Sequence, residues 1–169
     1  IGLFVNGKKV DEINSSGEIA LSKTNYYAEM GGEVADTGEV YNDSFKAKVT
    51  MVKKAKHQQH LLHIEVVYGT VKLGDILTEK PDFETRKKVR KNHSATHLLQ
   101  SALQSVLNDN VHQAGAYYDD KCLRLDFNYP KKLTEEELTK IERLVNEKIE
   151  EGLDVYCKIM KKDEALKLN

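Results

Sequence analysis

Long apolar runs are absent from this 169-residue sequence, and cysteines are few. No stretch approaches the roughly 20 apolar residues that a membrane-spanning helix needs, and the first residues do not resemble a secretory signal. Two cysteines form no disulfide framework, which is typical of proteins in a reducing compartment. With 40% hydrophobic residues the chain can bury a core, as one domain or two small ones. We therefore expect a cytoplasmic protein without a membrane partner.

An excess of either charge is also missing, since the formal net charge is −1, but the charges are unevenly distributed. Residues 86–91 form a basic run, and residues 135–137 are three glutamates. Taken alone, a basic run is more typical of a solvated helix face than of a ligand site. Its position directly before the histidines described below also suits a surface that holds phosphate groups. Both interpretations stay open.

Strand patterns fill the first eighty residues, with an Asn6-Gly7 hairpin signal near the start. The predicted strands span residues 1–10, 18–24, 39–41, 46–53, 61–68 and 71–77. Short strands at this spacing predict a small β-barrel. No internal repeat or low-complexity segment is present.

The patterns become helical after Pro81, where Asp82 is a predicted N-cap. Thr134 and Glu137 form a capping box for a later helix that ends at Gly152. The predicted elements are a helical run over 82–90, a longer helix to about 108, a strand over 123–129, a helix over 135–151, a strand over 155–159 and a helix start at 163–165. The later helix is predicted to turn inward Leu138, Ile141, Leu144, Val145 and Ile149.

These patterns predict an α+β fold in two parts. Residues 1–80 form a small β-barrel subdomain, residues 81–169 form a helix-and-strand subdomain, and the functional site lies in the cleft between them. The chain opens without methionine and stops soon after a helix start. We therefore expect it to be truncated from a longer protein.

His93 and His97 are the most informative pair in the sequence. Residues four apart on a helix point the same way, so two imidazoles at this spacing can share one metal ion. Apolar residues at three- and four-residue steps support the helix, and they are Ala95, Leu99, Ala102, Leu103 and Val106. The pair lies nearly opposite that stripe, which argues against core histidines but leaves two solvated surface histidines as an alternative.

Two imidazoles do not complete a zinc site, because structural zinc takes four protein ligands and catalytic zinc usually three. Cys122 and Cys157 lie in strand patterns without a nearby histidine. Each is more typical of a small buried or edge residue than of a ligand. The residues themselves therefore predict an incomplete metal site.

A glycine-containing segment between the early strands is the second candidate site. Gly31 and Gly32 allow backbone conformations closed to other residues and a close approach to a ligand. A plain hairpin loop would explain the glycines alone. The polar neighbours Glu33, Asp36 and Thr37 supply enough hydrogen-bonding groups to line a polar pocket.

Three segments together resemble the editing domain of alanyl-tRNA synthetases and the related free-standing editing proteins. Gly31-Gly32 with Asp36-Thr37-Gly38 is similar to the glycine motif of that family, and residues 92–99 are similar to its zinc-binding HxxxH helix. Residues 112–115 and 123–127 fit the segments that follow, so the resemblance runs from about residue 18 to the end. Threonyl-tRNA synthetases carry a similar HxxxH domain, but the glycine segment favours the alanyl branch.

The resemblance implies that His93 and His97 are two zinc ligands, with the other two supplied by a Cys-x-x-x-His motif. That motif does not occur in these residues. It also implies catalytic roles for Glu33, Thr37 and Gln113, although the family usually has glutamine where Glu33 stands. An ionised carboxylate only accepts hydrogen bonds, whereas an amide donates and accepts. The implied substrate-binding residues are Gly31, Gly32, Asp36, Arg86, Lys87, Lys88, Arg90 and Lys91.

The implied reaction is zinc-dependent hydrolysis of the ester that joins serine or glycine to the 3′ end of an alanine tRNA. A synthetic site sized for alanine rejects glycine and serine poorly, so a second site must correct the error. The implied partners are the acceptor end of tRNA(Ala) and the rest of an ATP-dependent synthetase. With two zinc ligands, the isolated chain is expected to show little or no catalysis. The alternatives are a tRNA-binding module without a working metal site, a free-standing or threonyl-type aminoacyl-tRNA editing domain, and a structural α+β domain.

Overall fold

The computed structural model describes residues 2–156 and 158–168, which form an α+β fold. The elements, in chain order, are β1 (Gly2–Val5), β2 (Lys8–Val10), β3 (Glu12–Ile13), β4 (Ser16–Ala20), β5 (Gly38–Tyr41), β6 (Lys46–Lys54), β7 (His60–Tyr68), β8 (Val71–Lys72), β9 (Thr78–Pro81), α1 (Phe83–Val106), β10 (Gln113–Tyr118), β11 (Leu123–Phe127), α2 (Glu135–Glu150) and α3 (Lys162–Ala165). Short 3-10 turns cover Lys56–Gln58 and Leu166–Leu168. Within the described ranges, no helix is long and apolar enough to span a membrane.

A seven-stranded antiparallel sheet dominates the first half, in the order β2-β1-β4-β7-β6-β5-β9. The Asn6-Gly7 turn joins β1 to β2 as predicted, and both of its residues have positive φ, 51° and 74°. One face of the sheet is apolar because branched residues alternate along the long strands. The centre of this first core is fully buried and contains Val40, Phe45, Val49, Val52, Leu62 and Ile64.

The predicted β-barrel is wrong, because this sheet stays open. In the described part of the chain, β2 pairs only with β1 and β9 pairs only with β5. The strands β3 and β8 pair with each other as a separate two-stranded ribbon and do not close the sheet. Lys8 and Lys9 are exposed on the edge strand β2, where charged side chains oppose further pairing.

The strand prediction over residues 71–77 is also wrong beyond Lys72, since the chain turns at Gly74 with φ +98°. The strand β9 then follows, although its Thr-Glu-Lys-Pro sequence has no apolar alternation. Pairing with β5 creates this strand, with Glu79 opposite Val40. Such a strand depends on its neighbour and has no local sequence signal.

The helix α1 is one continuous helix of 24 residues, where two helical runs were predicted. Asp82 caps it as predicted, accepting from the backbone N–H groups of Glu84 and Thr85 at 3.1 and 3.0 Å. Its buried residues are Val89, Thr96, Ala102 and Leu103. Val89, Thr96 and Leu103 recur every seven residues, so the same side of the helix stays buried along its length.

A second, smaller core lies between α1, α2 and the hairpin of β10 and β11, around Ala102, Leu103, Val111 and Ile141. The predicted capping box of α2 is confirmed, because Thr134 and Glu137 bond each other's backbone N–H. The prediction of which α2 side chains face the core is only partly correct. Ile141 is buried and Leu144 and Val145 pack against the core, but Leu138 and Ile149 are 44% and 54% exposed.

The strand predicted over residues 155–159 does not form in its described residues. Cys157 lies outside the described residues. The helix start at 163–165 is confirmed as part of α3, and the alternating strand after Cys122 is confirmed as β11. The partition at residue 80 stays a prediction.

Candidate functional site

Glu33 and His93, 60 residues apart in sequence, meet side chain to side chain. The Glu33 carboxylate oxygen Oε2 lies 2.5 Å from Nδ1 of His93. Glu33 is 7% exposed, while the His93 side chain is 37% exposed. The glycine loop, residues 30–38, and the histidine helix thus share one site, where a buried carboxylate faces a half-buried imidazole.

Backbone pairing with β10 positions the glycine loop. The carbonyl of Gly32 accepts from the N–H of Tyr118 at 2.9 Å, and the N–H of Val34 donates to the carbonyl of Tyr118 at 3.2 Å. Gly32 has φ +88°, and an added Cβ would lie 2.1 Å from the carbonyl oxygen of Ala116. Gly31 also has a positive φ, +63°, but open space around its Cβ position. Glycine is therefore sterically required at position 32.

Tyr118 is a site residue that the sequence analysis missed. Its ring stacks on His93 with centroids 4.6 Å apart and planes 19° apart. Its hydroxyl donates to the carbonyl of Gly31 at 2.8 Å. Burial of the phenol, followed by the nearby Glu33 carboxylate, raises the pKa of Tyr118, which keeps the hydroxyl protonated as a donor. No sequence signal marked this tyrosine, because β10 itself was not predicted.

His97 lies one turn beyond His93 on α1, with ring centroids 5.3 Å apart and planes 25° apart. His97 is exposed. The predicted same-face arrangement is present, and it suits two nitrogen ligands of one metal ion. Among residues 2–156 and 158–168, no group of three or more His, Cys, Asp or Glu side chains could hold a metal. The donor set thus fits half of a four-ligand zinc site.

Asp36 and Arg86, both predicted to bind substrate, bind each other. Nε of Arg86 donates to Oδ1 of Asp36 at 3.0 Å, and the terminal guanidinium nitrogen contacts the other carboxylate oxygen. That nitrogen also donates to the carbonyl of Asn25 at 2.5 Å. Asp36, 7% exposed, accepts in addition from the N–H of Tyr27 at 2.6 Å. This ion pair fastens the glycine loop to the start of α1.

The rest of the basic run is exposed. Lys87, Lys88, Arg90 and Lys91 all present solvent-accessible side chains on the first half of α1. A groove of about 830 Å³ lies beside them. Its lining combines cations with apolar side chains and comprises Phe83, Arg86, Lys87, Arg90, Lys91, Asn92, Ser94, Ala95, Leu98 and Ile149. Such a surface can accept a phosphate backbone.

The two other predicted catalytic residues lie apart from the Glu33 and His93 contact. Thr37 is exposed, and its carbonyl accepts from the N–H of Asp82 at 2.8 Å. Gln113 is exposed at the far end of β10 from Tyr118. Five residue steps along the strand separate the two, roughly 16 Å.

Comparison with known proteins gives the family. Residues 1–85, half of the chain, match the family described as tRNA synthetases class II (A). The chain belongs to this family. The match includes the glycine loop and ends before His93, so membership is independent of the histidine pair. The chain is also 43% identical over 160 residues to the alanine–tRNA ligases of Staphylococcus aureus strains bovine RF122 / ET3-1, JH9 and Mu50 / ATCC 700699. These alignments cover 94% of this chain and 18% of each relative, so this class II synthetase chain spans less than a fifth of their length.

Proposed function

We propose that this chain is part of an alanine–tRNA ligase and belongs to the site that hydrolyses serine or glycine from mischarged tRNA(Ala). The observation that carries the proposal is the contact between Glu33 and His93. It joins the polar glycine loop to the HxxxH helix. The 43% identity to alanine–tRNA ligases supports the choice of tRNA.

Each part of the site has a role in this proposal. His93 and His97 hold zinc, which when bound supplies a Lewis acid or an activated water for ester hydrolysis. The backbone of Gly31 lies open beside them, with no atom within 4 Å of its Cβ position, and can approach the aminoacyl group. Glu33 and Tyr118 hold the His93 ring and the carbonyl of Gly31 in place. The exposed cations of residues 87–91 bind the tRNA backbone.

The described residues supply two of the four zinc ligands that the resemblance implies. Zinc held by two imidazoles is bound weakly and easily lost. We therefore expect little hydrolysis by these 169 residues alone and propose that a Cys-x-x-x-His motif elsewhere in the parent protein completes the site.

A tRNA-binding module without a working metal site is the second candidate. The exposed cations beside the groove favour it, and so does the lack of a three-ligand group in the described part of the chain. Hydrolysis of mischarged tRNA, and its dependence on zinc, separates the two functions.

The test is to replace His93 or His97 by alanine in a full-length ligase that contains this sequence. Seryl-tRNA(Ala) hydrolysis should be lost while alanylation persists, because the synthetic reaction does not use these imidazoles. His112→Ala is the matched control, since His112 is exposed and directly precedes β10 at the end of that strand opposite Tyr118. Unchanged hydrolysis in both the His93→Ala and the His97→Ala variants would contradict editing at this site and favour the tRNA-binding module.

A further inference from the structure

We propose that Glu33 fixes the tautomer of His93, so that Nδ1 carries the proton and Nε2 is the nitrogen left for a metal ion. The use of this tautomer for metal binding rests on the proposed function, whereas the tautomer itself does not depend on metal. Glu33 is a positioning residue here, since it acts through His93.

The proton assignment follows from the chemistry of the pair. An ionised carboxylate has no hydrogen to donate, so a 2.5 Å contact between Oε2 of Glu33 and Nδ1 of His93 needs a proton on Nδ1. A neutral imidazole carries one N–H, which leaves the lone pair on Nε2. Metal-bound histidines commonly donate their second ring N–H to a carboxylate, which orients the ring and raises the basicity of the ligand nitrogen.

The surroundings hold both partners in place. Glu33 and Met30 exchange backbone hydrogen bonds at 3.1 and 3.3 Å, which fixes the loop that carries the carboxylate. The other support is Tyr118, stacked on the imidazole and bonded through its hydroxyl to the carbonyl of Gly31. The His93 ring therefore has a fixed plane and a fixed acceptor. A ligand ordered before metal arrives loses less entropy on binding.

His97 provides an internal comparison. No hydrogen bond to its ring is present among the described residues, so nothing there selects one of its tautomers. The two histidines of one HxxxH motif should consequently differ: His93 preorganised by Glu33, and His97 free to populate both tautomers.

The substitution Glu33→Gln tests the role of the charge. Glutamine has nearly the same size, but its amide can donate to Nδ1 or accept from it, so it does not dictate the tautomer. Glu33→Ala removes the partner completely. Glu84→Gln is the matched control, because Glu84 is an exposed carboxylate in the first turn of the same helix, nine residues before His93.

The experiment is long-range 1H–15N NMR of the imidazoles in the metal-free chain at about pH 9, where histidines are ordinarily neutral. We expect His93 as the Nδ1–H tautomer, a shift towards a mixture in Glu33→Gln and Glu33→Ala, and no change in Glu84→Gln. Zinc affinity, measured by competition with a chelator in the full-length ligase, should fall about 10-fold to 100-fold for the Glu33 variants.

The outcomes separate the two proposals. An Nε2–H tautomer at His93, or the same tautomer in all variants, would overturn the role of Glu33 even if the ligase edits. An Nδ1–H tautomer that depends on Glu33 would uphold it even if His93→Ala leaves seryl-tRNA hydrolysis intact, in which case the proposed function fails by itself.

Discussion

Replacing Gly32 by alanine should break the contact between the glycine loop and β10. An L-residue with φ near +88° costs about 1–2 kcal/mol. The new Cβ would also lie 2.1 Å from the oxygen and 2.7 Å from the carbon of the Ala116 carbonyl, backbone atoms that cannot rotate away. The loop must retreat by roughly 1 Å to restore ordinary contact. That movement breaks the hydrogen bonds that Gly32 and Val34 make with Tyr118, each worth about 0.5–1.5 kcal/mol.

The local cost is therefore about 2–5 kcal/mol, and amide hydrogen exchange at Tyr118 measures it. Its N–H, which donates to Gly32, should exchange at least about 30-fold faster in Gly32→Ala. Gly31→Ala is the control, since position 31 has φ +63° but open space for a Cβ, and should cost only about 1 kcal/mol. Equal acceleration in the two variants would refute the steric argument.

Two further predictions concern the charges of α1. Reversal of Lys87-Lys88 to glutamate should weaken tRNA binding by the full-length ligase, and the slope of log binding constant against log salt concentration should flatten by about 0.7–0.9 per lost phosphate contact. Reversal of the exposed pair 131–132 should leave that slope unchanged. An unaltered slope for Lys87-Lys88 would remove these residues from the contact surface. Arg86→Met should lower the free energy of unfolding in urea by about 1–3 kcal/mol, because the buried Asp36 carboxylate loses its partner. The exposed Arg90→Met should stay within about 0.5 kcal/mol, and equal losses would mean that the Asp36 ion pair contributes nothing.

Local physical chemistry made several elements predictable from sequence. The Asn6-Gly7 turn needs two residues that tolerate positive φ, and the structure uses both. Asp82 and Thr134 cap helices because a short side chain reaches the free N–H groups of the first turn. The first half of β6 follows from alternation, with Ala47 and Val49 buried, whereas Val52 is buried only because the strand shifts register between Val49 and Met51. In each case the cause lies within a few residues of its effect.

Pairing between distant segments was not predictable in the same way. The short strand β9 exists because β5 offers it a partner, and β10 exists through β11 and the glycine loop. Tyr118 became a site residue only through that second pairing. The barrel prediction failed for the same reason, since strand spacing does not say whether the last strand meets the first. His93 and Glu33 were both candidate site residues, but the hydrogen bond between them forms only when the two distant segments pack together in the folded chain.

The basic run shows how tertiary structure sorts residues that look alike in sequence. All five of its cations were assigned to the substrate, yet Arg86 lies opposite a buried carboxylate that would be costly without a partner. Asp36 therefore engages the nearest guanidinium, and that pair holds the loop whose Glu33 reaches His93. The four remaining cations are left to face solvent. One residue of the run thus holds the glycine loop in place, and the others are available for phosphate. Substitutions within six consecutive residues should therefore separate loss of stability from loss of tRNA binding.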